Sequence, residues 1–186
     1  MKSINIKTVI ALLFSFVVVF ASCQKDDPIL EDDQEEYDSV QIEFTNLANP
    51  NDVVMVSFDK NGNTEKSHYH LSQNEKYSME ISLFHNGKNI NHEFIEEIDE
   101  HKFFFLAPNE AVTNYLYQDN DLGLQGEITF GDYSSSFDFT ILLRHGLDKN
   151  HASAKGWNNV DYQKAGGVDD LRLEIPLHLV IEDHDH

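Results

Sequence analysis

Cysteine is all but missing from these 186 residues: there is one, Cys23. A disulfide within the chain is thereby excluded, and with it the disulfide-stapled class of small exported domains. Basic side chains are scarce too, 13 against 33 acids, for a formal charge of −20. Such a surface repels phosphate backbones, which excludes nucleic acid as a natural partner, and it repels anionic headgroups as well. Cations are what the field of such a chain attracts. No apolar stretch reaches the roughly 20 residues that a membrane-spanning helix needs; the longest, Val9 to Phe20, has 12. Catalytic signatures are also missing: no Gly-x-Ser-x-Gly elbow, no His-Glu-x-x-His, no phosphate or dinucleotide loop. Paired acids in a chain this acidic say nothing about glycoside chemistry. The expectation is a protein that is not an enzyme.

What is present begins with an export signal over residues 1–22. Lys2 and Lys7 precede the apolar stretch, and the small residues Ala21 and Ser22 lead straight into Cys23. The length and flanks are those of a secretory signal rather than an anchor. Ala21-Ser22-Cys23 resembles the lipobox of bacterial lipoproteins, with Phe20 where Leu is usual. That resemblance implies cleavage before Cys23 and acylation of its thiol, the acyl chains then serving as the membrane attachment. The mature chain would carry 11 basic and 33 acidic side chains, a formal charge of −22. Gln24-Lys25-Asp26-Asp27 resembles the surface-export signal of Bacteroidota lipoproteins, which implies the outer face of the outer membrane; the alternative is a plain charged tether on a periplasm-facing protein. Eight acids among the 13 residues 26–38 predict a solvated acidic tether, residues 23–38, holding the domain off the membrane.

From residue 39 to 186 the pattern is β almost throughout. Val40, Ile42 and Phe44 alternate with polar neighbours, as do Tyr77, Met79, Ile81 and Leu83. Val53–Phe58 is followed by Asp59-Lys60-Asn61-Gly62-Asn63 and a predicted return over Thr64–Leu71; Asn86-Gly87 closes the Tyr77 strand. Further strands are predicted over 102–106, 113–117, 122–130, 137–143 and 171–181, with one helical turn over Ile90–Ile98. About 8 strands with regular turn signals indicate an all-β fold, an immunoglobulin-like antiparallel β-sandwich. Residues 146–170, polar and glycine-rich, read as a long loop carrying the only tryptophan, Trp157. Asp59–Asn63 has some look of a calcium loop, but its Gly stands fourth rather than sixth and its flanks are strands, so a hairpin turn is favoured. Asp119-Asn120-Asp121 is equally ambiguous.

Ten histidines are the anomaly. Imidazole is the commonest side-chain ligand of transition metals, and parity sorts these residues, because positions two apart share a sheet face. His85 extends the row Tyr77-Met79-Ile81-Leu83, His101 shares a face with Phe103 and Phe105, and His145 extends Phe137-Phe139-Ile141-Leu143. If consecutive strands are antiparallel, all three face one mouth of the sheet pair, with Glu97, Asp99, His92 and His151 on the loops there. His85, His101 and His145 with Asp99 would suit a divalent transition metal such as zinc. The alternative is three separate half-buried histidines, each capping the core. His68, His70 and His178 fall on polar faces, and the terminal Asp183-His184-Asp185-His186 either chelates loosely or simply frays.

Ile98-Asp99-Glu100-His101-Lys102-Phe103-Phe104-Phe105 and Leu142-Leu143-Arg144-His145 resemble stretches in a group of surface-exposed Bacteroidota lipoproteins of immunoglobulin-like appearance. That group is associated with TonB-dependent outer-membrane receptors. The resemblance implies an accessory role in uptake, a binding module for a metal or small nutrient, and it singles out His101 and His145. A structural or adhesive surface module with no small ligand is the other expectation.

Overall fold

Alternating burial decides the layers. A computed structural model describes residues 36–181, so the signal segment, Cys23, most of the tether, and His184 and His186 lie outside the described residues. Among the described residues the strands in chain order are β1 (Ser39–Asn46), β2 (Val53–Asp59), β3 (Tyr69–Ser72), β4 (Lys76–His85), β5 (Lys88–Asn89), β6 (His101–Leu106), β7 (Val112–Tyr117), β8 (Gln125–Phe130), β9 (Phe137–His145) and β10 (Val168–Val180), with one α-helix, α1 (Asn91–Glu96). One sheet runs β2-β1-β4-β8-β7, with β5 hairpinned onto β4, and the other runs β3-β10-β9-β6. The described residues thus form an all-β sandwich of ten strands, antiparallel except where β3 runs parallel to β10.

β1 buries Val40, Ile42 and Phe44, and β4 buries Tyr77, Met79, Ile81 and Leu83 against Phe139, Ile141 and Leu143 of the facing sheet. Phe44 marks the centre, its ring 6.3 Å from Phe130 in its own sheet and 6.4 Å from Phe139 in the other. Burying one such ring contributes about 2–3 kcal/mol. Asn86 and Gly87 both have positive φ, 50° and 72°, the type I′ geometry that lets β5 fold back on β4.

The structure departs from the sequence-based expectation in four places. Thr64–Leu71 does not return beside β2: after one bridge, Phe58 to Thr64, the chain crosses over, and Tyr69–Ser72 joins the second sheet. The strand expected from Leu122 begins at Gln125, and the one expected from Leu171 begins at Val168. The stretch expected as a bare loop forms two 3₁₀ turns, Ala152–Ala154 and Tyr162–Ala165. Leu147, Ala154, Tyr162 and Ala165 of this segment lie on Phe104 and Leu142, making a second small core on the outer face of the sheet. That cover explains why β6 is buried on both faces and why its sequence, HKFFFL, is continuous rather than alternating. Arg144 staples the cover in place: it donates to the carbonyls of Gly166 (2.9 Å) and Gly167 (2.7 Å) and pairs with Asp169. The outward edge of β6 is closed as well, since Phe103 and Phe105 each donate at 2.7 Å to the carbonyls of Leu122 and Trp157.

The same cover buries a lysine. The Lys102 side chain is 1% exposed, paired with Asp121, which is 45% exposed, and its ammonium sits 4.5 Å from the Tyr117 ring centre. Burial holds this ammonium below the ordinary lysine range, Asp121 opposes the shift, and Lys155 adds to it. With its folded pKa depressed, the folded chain binds fewer protons than the unfolded one across that interval, so stability rises with pH up to the ordinary lysine range. Lys102→Met should abolish that slope and leave the fold equally stable or more stable by roughly 1 kcal/mol. Urea unfolding at about pH 8 and about pH 10 reads both effects; a marked loss of stability would mean that the Asp121 pair outweighs the burial.

Candidate metal centre

The first position of β6 and the last of β9 are held by histidines, and the sheet sets them opposite each other. His101 pairs with His145 across the antiparallel ladder, the rings stacked with centroids 4.5 Å apart and planes at 30°. A short helix fixes the first ring. Asn91 anchors α1 to β4 by accepting from the Leu83 amide and donating to the Ile81 carbonyl, both at 2.8 Å. Buried Phe94 then presents its ring edge-on to His101, centroids 5.2 Å apart. The turn after the helix brings the Glu97 carbonyl within 3.2 Å of His101 Nδ1.

The acid between the imidazoles comes from an irregularity in β10. Val168 pairs with His145 and Asp169 with Arg144, but Leu171 then pairs with Leu143, so Asp170 is the extra residue. Such a bulge re-aims a side chain. Asp169 turns outward to Arg144, while Asp170 is 4% exposed, with Oδ2 at 3.8 Å from His101 Nε2 and 3.5 Å from His145 Nδ1. The far nitrogen of His145, Nε2, lies 3.4 Å from Glu100 Oε2. Each imidazole therefore has one nitrogen beside a carbonyl or carboxylate oxygen and the other turned towards Asp170. Metal-binding histidines are held in this way, the second-shell oxygen fixing the tautomer and the ring direction.

Distance decides what the arrangement suits. Good N–H···O hydrogen bonds cluster near about 2.9–3.0 Å, and the two separations to Asp170 are longer. Ligand atoms around a tetrahedral ion at about 2.0–2.1 Å stand about 3.3–3.4 Å apart. The observed edges need to close by only a few tenths of an ångström. Glu97, His101 and His145 form a second grouping, without Asp170, in which one potential ligand atom from each lies within 4.8 Å of the others.

Of the sequence-derived set, His101 and His145 come together and His85 reaches the same end of the sandwich. His85 lines a cleft of about 460 Å³ that Asp170 also lines, but it is not in the cluster with His101 and His145. Asp99 stays exposed on the turn before β6, acts at a distance on the Lys149 ammonium, and is not in the cluster with His101 and His145. Counting parity back from Leu171 turns Asp170 outward; only the bulge turns it in. The pair Asp169-Asp170 just before an apolar row was its one sequence signal. His151 is used elsewhere, accepting from the Ser153 amide at 3.1 Å. His70 and His178 face each other on β3 and β10, ring centres 5.6 Å apart. The calcium-like turns are ordinary turns. Asp59 accepts from the amides of Asn61 and Asn63 at 2.8 and 3.0 Å, which holds its carboxyl below the usual range. Asp119 accepts from Gly123 and Gln125, both at 2.9 Å.

No protein-family model, no curated protein and no solved structure matches this chain.

Proposed function

We propose that this chain is a lipoprotein anchored in the outer membrane through acylated Cys23, and that its sandwich binds a divalent transition metal such as zinc. The ion would lie between His101 Nε2, His145 Nδ1 and Asp170 Oδ2. One observation carries the reading: two imidazoles from neighbouring strands each turn a nitrogen on one buried carboxylate, at 3.8 and 3.5 Å, close to ligand–ligand edges. Neutral imidazoles with a carboxylate are a donor set of the kind zinc accepts. The lipobox, the Gln24–Asp27 signal and the acidic tether support display at the cell surface. The resemblance to receptor-associated lipoproteins supports a non-enzymatic role in metal or small-nutrient uptake beside a TonB-dependent receptor.

The test uses the full-length protein extracted from membranes without a histidine tag. Elemental analysis should find close to one equivalent of metal, and the intact mass should show lipid on Cys23. Zinc at about 100 times its dissociation constant should stabilise the fold by about 2.7 kcal/mol, a melting shift of roughly 5–10 °C. His101→Ala and His145→Ala should each lose that shift, whereas deleting residues 184–186 should keep it. Melting that ignores zinc would leave a structural or adhesive module in place of a metal binder. An unmodified Cys23 would remove the anchor.

A further inference from the structure

His101 is wholly buried and Asp170 nearly so, so an ion needs a way in. We infer that the cleft lined by His85 and Asp170 is the path by which a hydrated divalent cation reaches the centre, and that His85 is the first nitrogen ligand it meets. This rests on the metal-binding reading above and adds the route.

Both sheets build the cleft where their ends converge. Tyr37 and Asp38 come from the lead into β1, Lys60 from the turn after β2, His85 and Asn86 from the end of β4, and Asp170 from the bulge of β10. The walls are tied together: the Asn86 amide donates to the Asp38 carboxylate at 2.5 Å, and the Asp38 amide donates to the Phe84 carbonyl at 2.8 Å. Asp170 is felt inside the cleft, since the Tyr37 phenol is held above its ordinary range by burial and then by that carboxylate. Glu36, Asp38 and Asp170 set three negative charges against Lys60 alone, a field that draws cations in. Within this wall His85 Nδ1 is a buried nitrogen without a hydrogen-bond partner among the described residues. A buried polar atom left in that state is unfavourable, and a passing cation would satisfy it. The space is adequate as well. A six-water hydration shell takes about 180 Å³ at about 30 Å³ per water, against the cleft's 460 Å³.

A ligand used in transit has a kinetic signature that a resident ligand lacks, because it lowers the barrier in both directions. Cobalt(II) serves as the probe, its absorption reporting arrival at a nitrogen-containing site in stopped flow with the full-length protein. His85→Ala should slow association and dissociation alike, each by about tenfold, leaving the equilibrium affinity within about threefold and the final spectrum unchanged. Lys60→Glu, on an exposed turn, should speed association by about two- to threefold at low salt and lose that gain at high salt. An unchanged association rate in either variant would overturn the route. A faster dissociation with unchanged association in His85→Ala would also overturn it, making His85 a resident ligand instead. Failure of the underlying reading looks different: the wild-type protein would give no cobalt signal, or His101→Ala would give the same signal as wild type.

Discussion

Gly167→Ala is expected to lower the unfolding free energy by about 3 kcal/mol or more and to weaken metal uptake with it. Gly167 has φ +76°, and a Cβ there would lie 2.1 Å from the His145 carbonyl oxygen and 2.9 Å from the Leu147 amide nitrogen. Both obstacles are backbone, so neither can swing aside. The only relief is to push the start of β10 away from the end of β9, which moves Asp170 from the imidazoles. The carbonyl of Gly167 also accepts from Arg144, so the staple over the outer face loosens together with the centre. Gly156→Ala separates the two costs. Its φ is +79° with nothing within 4 Å of a Cβ, so it should show backbone strain alone, about 1–2 kcal/mol. Urea unfolding of both variants measures the difference; equal losses would mean that the β9–β10 junction absorbs the clash.

Asp170→Asn is expected to weaken zinc binding by about 100-fold or more while leaving the fold in place. Asparagine keeps the size of the side chain and one oxygen but removes the negative charge, and charge is what a dication gains from this position. In the free protein the substitution also takes a carboxylate out of a pocket where it is 4% exposed, which limits its effect on stability. Competition against a chromophoric chelator gives the affinity directly. Undiminished affinity in Asp170→Asn would move the ion to the other side of the imidazoles, towards Glu97 and Glu100.

The rows of the sandwich were legible because a strand repeats every two residues. Val40-Ile42-Phe44 and Tyr77-Met79-Ile81-Leu83 could face only one way, and the same count placed His101 and His145 on the inward face. It also placed His85, His101 and His145 at one end, although the antiparallel succession assumed for that step does not hold: β4 and β6 lie in different sheets. Parity carries no information about which sheet a strand joins, so the crossing of Tyr69–Ser72 to pair with β10 was invisible. The outer cover was hidden because Leu147, Ala154, Tyr162 and Ala165 have no regular spacing. Asp170 was the costly omission. A bulge inserts one residue into the count, and nothing before Leu171 announces that the period breaks there, so Asp99, nearer His101 in the chain, looked like the better acid.

The closed edge of β6 bears on how such molecules crowd. An open strand edge is a template on which a second chain can add its own strand, and natural sheets cover, shorten or charge such edges to stay out of fibres. At β6 the donors of Phe103 and Phe105 are already taken by the carbonyls of Leu122 and Trp157. An incoming strand would have to displace both segments before forming its first rung. Among the described residues, lateral pairing between copies packed side by side would therefore have to begin at β2, β3, β7 or the short β5, and polymerisation through the edge nearest His101 is blocked by the chain's own backbone.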